Sequence, residues 1–265
     1  MPQPPATNTP GLPFIELKSV DSTNNYARQQ IHAGLAQHGT AFFAHEQVAG
    51  KGQRGKIWTA EKGSTIALSI ILKPQPLLLS QQFCLSACVA VAVQDFFALY
   101  AGDDTKIKWP NDLYWQDRKA GGILIESIVR SRESTVSRPD LESSGWDWAI
   151  IGIGININQT GFPVELVNPV SLKQITGKDF EPIVLAKELF EIVMSRFNEL
   201  VSNGFEKIVE QYLLHLYKRN EKVKFKKDSR VFEATVKTIS ASGKLVVEHS
   251  MEEEFGFGEV EWVIK

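Results

Sequence analysis

The stretch "EQVAGKGQRGKIW" (46–58) holds three glycines, two lysines and one arginine and closes on a tryptophan. Glycine lets a backbone approach a ligand closely and the cations suit an anion, so a phosphate-holding loop is the first reading. A nucleotide-triphosphatase P-loop is ruled out by spacing. Gly50, Gly52 and Gly55 are interleaved with Lys51, Gln53 and Arg54, and no hydroxyl follows to hold magnesium. Three further polar clusters stand out: "DSTNNYA" (21–27), "KWPNDLYW" with "KAGGIL" (108–115 and 119–124), and "IGIGININ" (151–158). Singly, each has a plain structural account. Ser22 and Thr23 suit a helix cap, Asn111-Asp112 a turn, Lys119 a solvated turn, and Gly152-x-Gly154 a close strand crossing.

The elements around these clusters follow from hydrophobic period. "FIELKSV" alternates as a strand, and the helix after it is capped within Asp21, Ser22 and Thr23 and stopped at Gly34. "TAFFAHEQ" and "STIALSIIL" are β-rich runs on either side of the glycine loop, so the loop joins two strands and has no helix dipole behind it. A long apolar helix is expected from Ser80, its cap, to about Gly102. "TKIKWPNDLYW" reads as a strand broken at Pro110, and "KAGGILIESIVR" and "WDWAIIGIGININ" as two more, joined by a polar hairpin loop, "SRESTVSRPDLESSG". "EPIVLAKELFEIVMSRFNELVSNG" is amphipathic at helical period with Gly204 as its stop, and "FEKIVEQYLLHLY" is a second, shorter helix. From about Asn220 short alternating strands take over, the pattern of a small β-barrel module, in which the lysines of "KVKFKK" blunt an exposed strand edge.

With 265 residues, 43% of them hydrophobic, the chain can bury a substantial core, and its net charge of -2 argues against a protein whose main task is coating nucleic acid. Cys84 and Cys88 lie in the apolar helical pattern and read as core residues of a reducing compartment, with no disulfide framework. No histidine spacing matches a zinc site, so no protein-held metal is expected. The opening "MPQPPATNTPGLP" reads as a proline-rich tail without a signal pattern. Ser80, Gln81, Gln82 and Ser86 shorten the apolar run 74–94 below a membrane span, so no membrane is expected and the location is expected to be cytoplasmic.

In order and spacing, the four clusters together resemble the biotin protein ligase family over about residues 14–262. A Ser-Thr-Asn stretch opens a helix, a glutamine-led glycine and basic loop ends in tryptophan, and Lys-Trp-Pro-Asn-Asp, Lys-x-Gly-Gly-Ile-Leu and Gly-x-Gly-x-Asn follow. The resemblance implies an α+β fold: a mixed β-sheet flanked by helices, like that of class II aminoacyl-tRNA synthetases, with a small C-terminal SH3-like β-barrel. The domains expected are a tail over 1–12, a catalytic biotin- and ATP-binding domain over 13–218 and the barrel over 219–265.

The resemblance further implies that ATP activates biotin to biotinyl-5'-adenylate, brought with Mg2+, and that biotin is passed to one lysine of a carboxylase's biotin carboxyl carrier domain. It implies Lys119 and Arg54 as catalytic residues. For biotin it implies Ser22, Thr23, Asn24, Gln47, Gly50, Lys51, Gly52, Gln53, Lys119, Gly122, Gly152 and Gly154. For ATP it implies Lys51, Arg54, Trp58, Asn111, Asp112, Lys119 and Asn156. The chemistry is coherent, because a carboxylate is repelled by the triphosphate it must attack and needs fixed cations between the two anions. The glycines of the loop suit a lid that orders over a water-sensitive mixed anhydride.

At Lys51 and Gln53 the sequence departs from the family, where arginine is common: Lys51 keeps the charge without the planar fork, and Gln53 loses it. Retention of the adenylate is therefore expected to rest on the loop's backbone. A helix-turn-helix repressor has no room before the catalytic pattern, so DNA is not an expected partner. A lipoate or octanoate ligase or transferase of the same superfamily is the alternative. A monomer or weak homodimer is expected, with the lysine strand of the barrel suited to an acidic acceptor.

Overall fold

The computed structural model describes residues 11–129 and 145–263. Most of the tail and of the hairpin loop expected after Val129 lies outside these residues. The larger unit is a seven-stranded sheet built from β1 (Phe14–Leu17), β2 (Thr40–Ala44), β3 (Thr65–Leu72), β4 (Thr105–Lys108), β5 (Asp112–Trp115), β6 (Arg118–Val129) and β7 (Trp146–Asn156). Its order is β1-β2-β3-β7-β6-β5-β4. Only β1 and β2 run parallel, so the sheet is mixed, and β7 sits at its centre between β3 and β6.

Side chains alternate across a strand, so each face of this sheet has its own partner. One face carries Ile66, Leu68, Ile70, Ile151, Ile153 and Ile155, packed into the main core with helices α2 (Gln82–Ala101), α4 (Pro182–Asn203) and α5 (Glu206–Leu214). The other face meets α1 (Thr23–His32) through a small cluster of Ala27, Phe42, Ile71 and Ile150. Helix α2 with its leading turn, Leu79–Ala101, is long and apolar enough to cross a membrane by length and composition alone, and 67% of its most apolar window is buried inside the fold. Within it Cys84 and Cys88 are buried, and burial pushes the Cys88 thiol up to about 12, as an inert core residue requires.

Several boundaries differ from expectation. Ser80 does not cap α2: it lies inside a 3-10 turn, Leu79–Gln81, and Gln81 takes the cap position. A five-residue helix, α3 (Leu172–Thr176), was not expected, although Ser171 and Gln174 form a capping box in front of it. The C-terminal unit is a five-stranded antiparallel sheet of β8 (Lys222–Lys227), β9 (Arg230–Ile239), β10 (Leu245–Glu248), β11 (Glu252–Phe255) and β12 (Glu261–Trp262), in the order β11-β10-β9-β8-β12. The sheet is open among the described residues, with β11 and β12 at its edges. The lysine-rich β8 is therefore an inner strand, paired with β9 and over two residues with β12, and not the edge its sequence implied. Its charge is met across the sheet, Lys222 by Glu233 at 3.4 Å and Lys227 by Glu253 at 3.4 Å.

Candidate functional site

Strand register assembles the site on the α1 face of the large sheet. Ser69 stands opposite Gly152, which stands opposite Leu124. In the next row Ala67, Gly154, Gly122 and Asp112 follow one another across four strands. Five of these seven positions are glycine, alanine or serine, so the face sinks into a trough, whereas the next row on the same face carries Ile71 and Ile150. The motif "IGIGIN" is thus one strand with two faces: isoleucines for the core and glycines for the trough floor.

At one end of the trough the start of α1 meets the entrance of the glycine loop. Val20 accepts from the Val48 N–H at 3.0 Å and Asp21 from the Ala49 N–H at 2.8 Å, through their carbonyls. This zipping brings Gln47 beside Thr23, whose backbone N–H donates to Gln47 Oε1 at 2.8 Å and whose hydroxyl lies 3.0 Å from the same oxygen. Ser22 occupies the cap position of α1 with its side chain buried, yet it makes no capping bond. Its hydroxyl is consequently not spent on the helix. Asn24 is buried over Gly152, and a methyl at Gly152 would lie 3.0 Å from both Cγ and Nδ2 of Asn24.

At the other end Lys119 Nζ donates to Asp112 Oδ1 at 2.7 Å, with Lys108 Nζ 3.9 Å from Asp112 Oδ2. Lys119 is one-third exposed, whereas Lys108 lies beneath the rings of Tyr114 and Trp262, at 5.1 and 5.5 Å from their centroids. Burial, and secondarily the neighbouring Lys119 and Lys56, pushes the Lys108 ammonium down to about 8 against the pull of Asp112. Gly122 faces this cluster: a methyl there would be 3.4 Å from Asp112 Oδ1 and 3.6 Å from Lys119 Nζ. The backbone of Lys119 is zipped to the segment before α3, with its N–H donating to the Asn168 carbonyl at 2.7 Å and its carbonyl accepting from Val170 N–H at 2.9 Å.

The glycine loop folds over the trough as a short hairpin. Trp58 N–H donates to the Gly50 carbonyl at 2.9 Å, Gly52 N–H to the Lys56 carbonyl at 2.7 Å, and Gln53–Gly55 make a 3-10 turn at the tip. Gly50 is required because a side chain there would run into the Trp58 carbonyl, and Arg54 is held at φ 55, in the left-handed region. The Trp58 indole lies on Gly154, whose missing methyl would sit 2.7 Å from Cε2.

The remaining candidates point elsewhere. Arg54 donates to the Gly258 carbonyl of the C-terminal sheet's last turn at 3.2 Å, and Gln53 to the Ile123 carbonyl at 3.4 Å. Asn111 also donates to Ile123, and Asn156 to the Val170 carbonyl at 3.1 Å, so both amides hold backbone. Lys51 is exposed on the loop. An apolar cavity of about 340 Å³ between Phe83, Phe205, Tyr212 and Ile239 contains none of these residues.

The model of the biotin/lipoate A/B protein ligase family matches residues 16–137, the segment that holds the α1 cluster, the glycine loop and both lysines. The match takes in just under half of the chain. Among curated relatives, the bifunctional ligase/repressor BirA of Bacillus spizizenii is 34% identical over 206 residues, 76% of this chain and 59% of that protein. The chain thus spans about three-fifths of that relative. The biotin--[acetyl-CoA-carboxylase] ligase of Paracoccus denitrificans is 29% identical over 244 residues, 87% of this chain and 92% of that one. Among solved structures, a biotin protein ligase from Aquifex aeolicus in complex with biotin and ATP superposes with a TM-score of 0.77 at 24% identity, covering 96% of this chain and 99% of that chain. This last likeness establishes the fold.

Ser69, Glu126, Arg28 and Lys108, which surround the trough, were missed by motif reading. Ser69 is a fully buried hydroxyl, 2.7 Å from Thr23 Oγ1 and 2.6 Å from Asn24 Oδ1. Glu126 accepts from Asn24 Nδ2 at 2.8 Å and from Arg28 at 2.9 Å. Lys108 opens the Lys-Trp-Pro-Asn-Asp motif, which by itself assigns it no role. A signal existed for Ser69 and Glu126: each is a polar residue inside an otherwise apolar strand run.

Proposed function

We propose that the chain is an ATP-dependent biotin protein ligase that makes biotinyl-5'-adenylate and passes biotin to a lysine of a biotin carboxyl carrier domain. The observation that carries this reading is the trough with unlike ends on one sheet face. Its polar end, Ser22, Thr23 and Gln47, offers hydroxyls and an amide suited to the N–H and C=O groups of a cyclic urea. Its other end, Lys119 and Lys108 around Asp112, has a net positive charge. The apolar glycine floor between them leaves room for a short aliphatic chain. A ligand with a ureido ring at one end and a carboxylate at the other matches that order.

In the first step a carboxylate oxygen attacks the α-phosphorus, a P–O bond forms, and the bond to pyrophosphate breaks. Two unit charges 4 Å apart repel by about 4 kcal/mol at an effective dielectric of about 20, which is the scale that Lys119 must offset between the two anions. In the second step the amine of the acceptor lysine attacks the acyl carbon, the acyl C–O bond breaks, AMP leaves and the amine gives up a proton. Lys51 and Arg54 on the loop, with Trp58 as an adenine face, are assigned to the nucleotide, with Lys119 shared. Asn111 and Asn156 act by holding the backbone around it. A divalent ion carried by the triphosphate needs one or two protein carboxylates, and Asp112 fits that need; bound there it would screen phosphate charge. No group of three or more His, Cys, Asp or Glu suited to a resident metal is present among the described residues.

Arg54 reaching Gly258 gives the C-terminal unit a part in setting the loop. We read that unit, residues 219–265, as the SH3-like module of the ligase and 13–218 as the catalytic domain. The cytoplasm and a monomer or weak homodimer are the proposed setting. A lipoate substrate fits less well, since a dithiolane ring has no N–H or C=O for the polar end.

The test is a single assay with purified protein, biotin, ATP, magnesium and a biotin carboxyl carrier domain, following pyrophosphate and labelled acceptor together. Both should appear with biotin and neither with lipoate. Absence of both with biotin defeats the reading, and activity with lipoate alone moves the chain to the other branch.

A further inference from the structure

Both oxygens of Glu126 are spent on α1: Oε2 accepts from Asn24 Nδ2 at 2.8 Å and Oε1 from Arg28 at 2.9 Å. Asn24 and Arg28 are one helical turn apart, so the carboxylate lies along the helix and staples it to β6. From Asn24 a line of short contacts continues through Ser69 to Thr23 and Gln47, at 2.6, 2.7 and 3.0 Å between oxygens. The salt bridge and the polar end of the trough are therefore two ends of one network.

Counting protons gives that network a direction. A carboxylate paired with arginine only accepts, so Asn24 must turn its NH2 group to Glu126 and its carbonyl oxygen to Ser69. That oxygen cannot donate and takes the single proton of Ser69. The proton of Thr23 then has two internal acceptors within reach, Ser69 Oγ and Gln47 Oε1, and the oxygen of Thr23 is left with its lone pairs for a ligand. Without the carboxylate, Asn24 is free to turn over. Ser69 would then donate to Thr23 and fill a lone pair that the ligand would otherwise use, leaving Gln47 Oε1 to take the Thr23 proton.

Building on the ligase reading above, we propose that Glu126, clamped by Arg28, is a specificity-determining positioning residue that keeps the Thr23 hydroxyl an acceptor. The polar end thereby selects a ligand with an N–H donor at that point.

Calorimetric binding of biotin, and of biotin methylated on a ureido nitrogen, to the full chain and to Glu126→Met and Glu126→Gln tests this. Glu126→Met should weaken biotin about tenfold, the effect of one hydrogen bond, and shrink the preference for biotin over the methylated ligand by a similar factor. KM for ATP and kcat at saturating biotin should stay within about twofold, unlike a general loss of structure. Glu126→Gln, which keeps one acceptor oxygen for Asn24, should recover most of the preference. Equal weakening of both ligands, or an unchanged preference in Glu126→Met with an unchanged urea midpoint, overturns the inference. Failure of the unaltered chain to bind biotin overturns the ligase reading beneath it.

Discussion

Alanine placed singly at Gly152, Gly154 and Gly122 makes one chemical change at three points of the trough floor, and the surroundings demand three different outcomes. None of the three has a positive φ, so alanine meets no backbone strain and gains about 0.4–1 kcal/mol through the unfolded chain. At Gly152 the new methyl would overlap Asn24, 3.0 Å from Cγ and Nδ2 and nearer still to Oδ1. Asn24 cannot withdraw without breaking its bonds to Glu126 and Ser69, and β7 cannot withdraw because β3 and β6 pair with it on both sides. Overpacking costs about 1–3 kcal/mol and a broken buried hydrogen bond about 1–3 more, so after the gain through the unfolded chain the net loss is about 1–5 kcal/mol, centred near 3. At Gly154 the three atoms nearest the methyl all belong to the Trp58 ring, 2.7–3.0 Å away, which stands on a loop and can swing aside. Stability should fall by about 1 kcal/mol or less, because overpacking there is relieved by the loop, while the KM for ATP rises. At Gly122 the nearest atoms are at ordinary contact, 3.4 and 3.6 Å, and stability should not fall. Urea unfolding reads all three: at a slope of about 3 kcal/mol per molar, Gly152→Ala moves the midpoint down by roughly 1 M. A midpoint for Gly152→Ala at or above those of the other two would refute the locked-asparagine account.

Two further outcomes follow from the charged end. Lys119→Met should slow biotin-dependent ATP–pyrophosphate exchange by about a hundredfold or more while biotin still binds, as expected when a group that stabilises developing charge is removed; exchange within tenfold of the unaltered chain counts against its catalytic role. Lys108 is held near 8 when folded against an ordinary value of 10.5, so between those pH values the unfolded chain binds more protons and stability rises with pH. The contribution is complete above 10.5 and lost as pH falls through about 8. Subtracting the urea midpoints of Lys108→Met should expose that rise between pH 8 and 10, and a flat difference would show that the ammonium is not buried in solution.

Much of this was legible because glycine and periodicity carry their meaning locally. Gly152 and Gly154 between isoleucines announce a strand with one packed and one close-approached face, and the turn at Pro110 to Asp112 was visible as chain punctuation. The polar network was not legible, because Glu126 lies 102 and 98 positions from the residues it binds. Nothing in "GGILIESIV" says which helix will cover it until strand order is known. The position of β8 failed for the same reason: lysine on alternate positions is the pattern of an edge, but only the pairing of the two-residue β12 makes it an inner strand. Helix α3 was missed although its capping box was in the sequence, since a five-residue helix offers too few turns for a period.

The division of labour between strand and loop has a physical reason. Ser69, Gly152 and Gly154 stand on strands paired on both sides, and Glu126 is paired with β7 and held by Asn24 and Arg28, so a shift of one backbone would cost several bonds and groups whose hydrogen-bond polarity matters are put where little can drift. Lys51, Arg54 and Trp58 stand on a hairpin fastened at its stem by a few backbone bonds and at its tip by two side-chain bonds, Arg54 to Gly258 and Gln53 to Ile123. A cover for a reactive anhydride must open for substrate and close against water, and that demands shallow fastening. On the proposed ligase reading, the loop's side chains can therefore change, as at Gln53, with less consequence for which acid is chosen than for how long its adenylate is held.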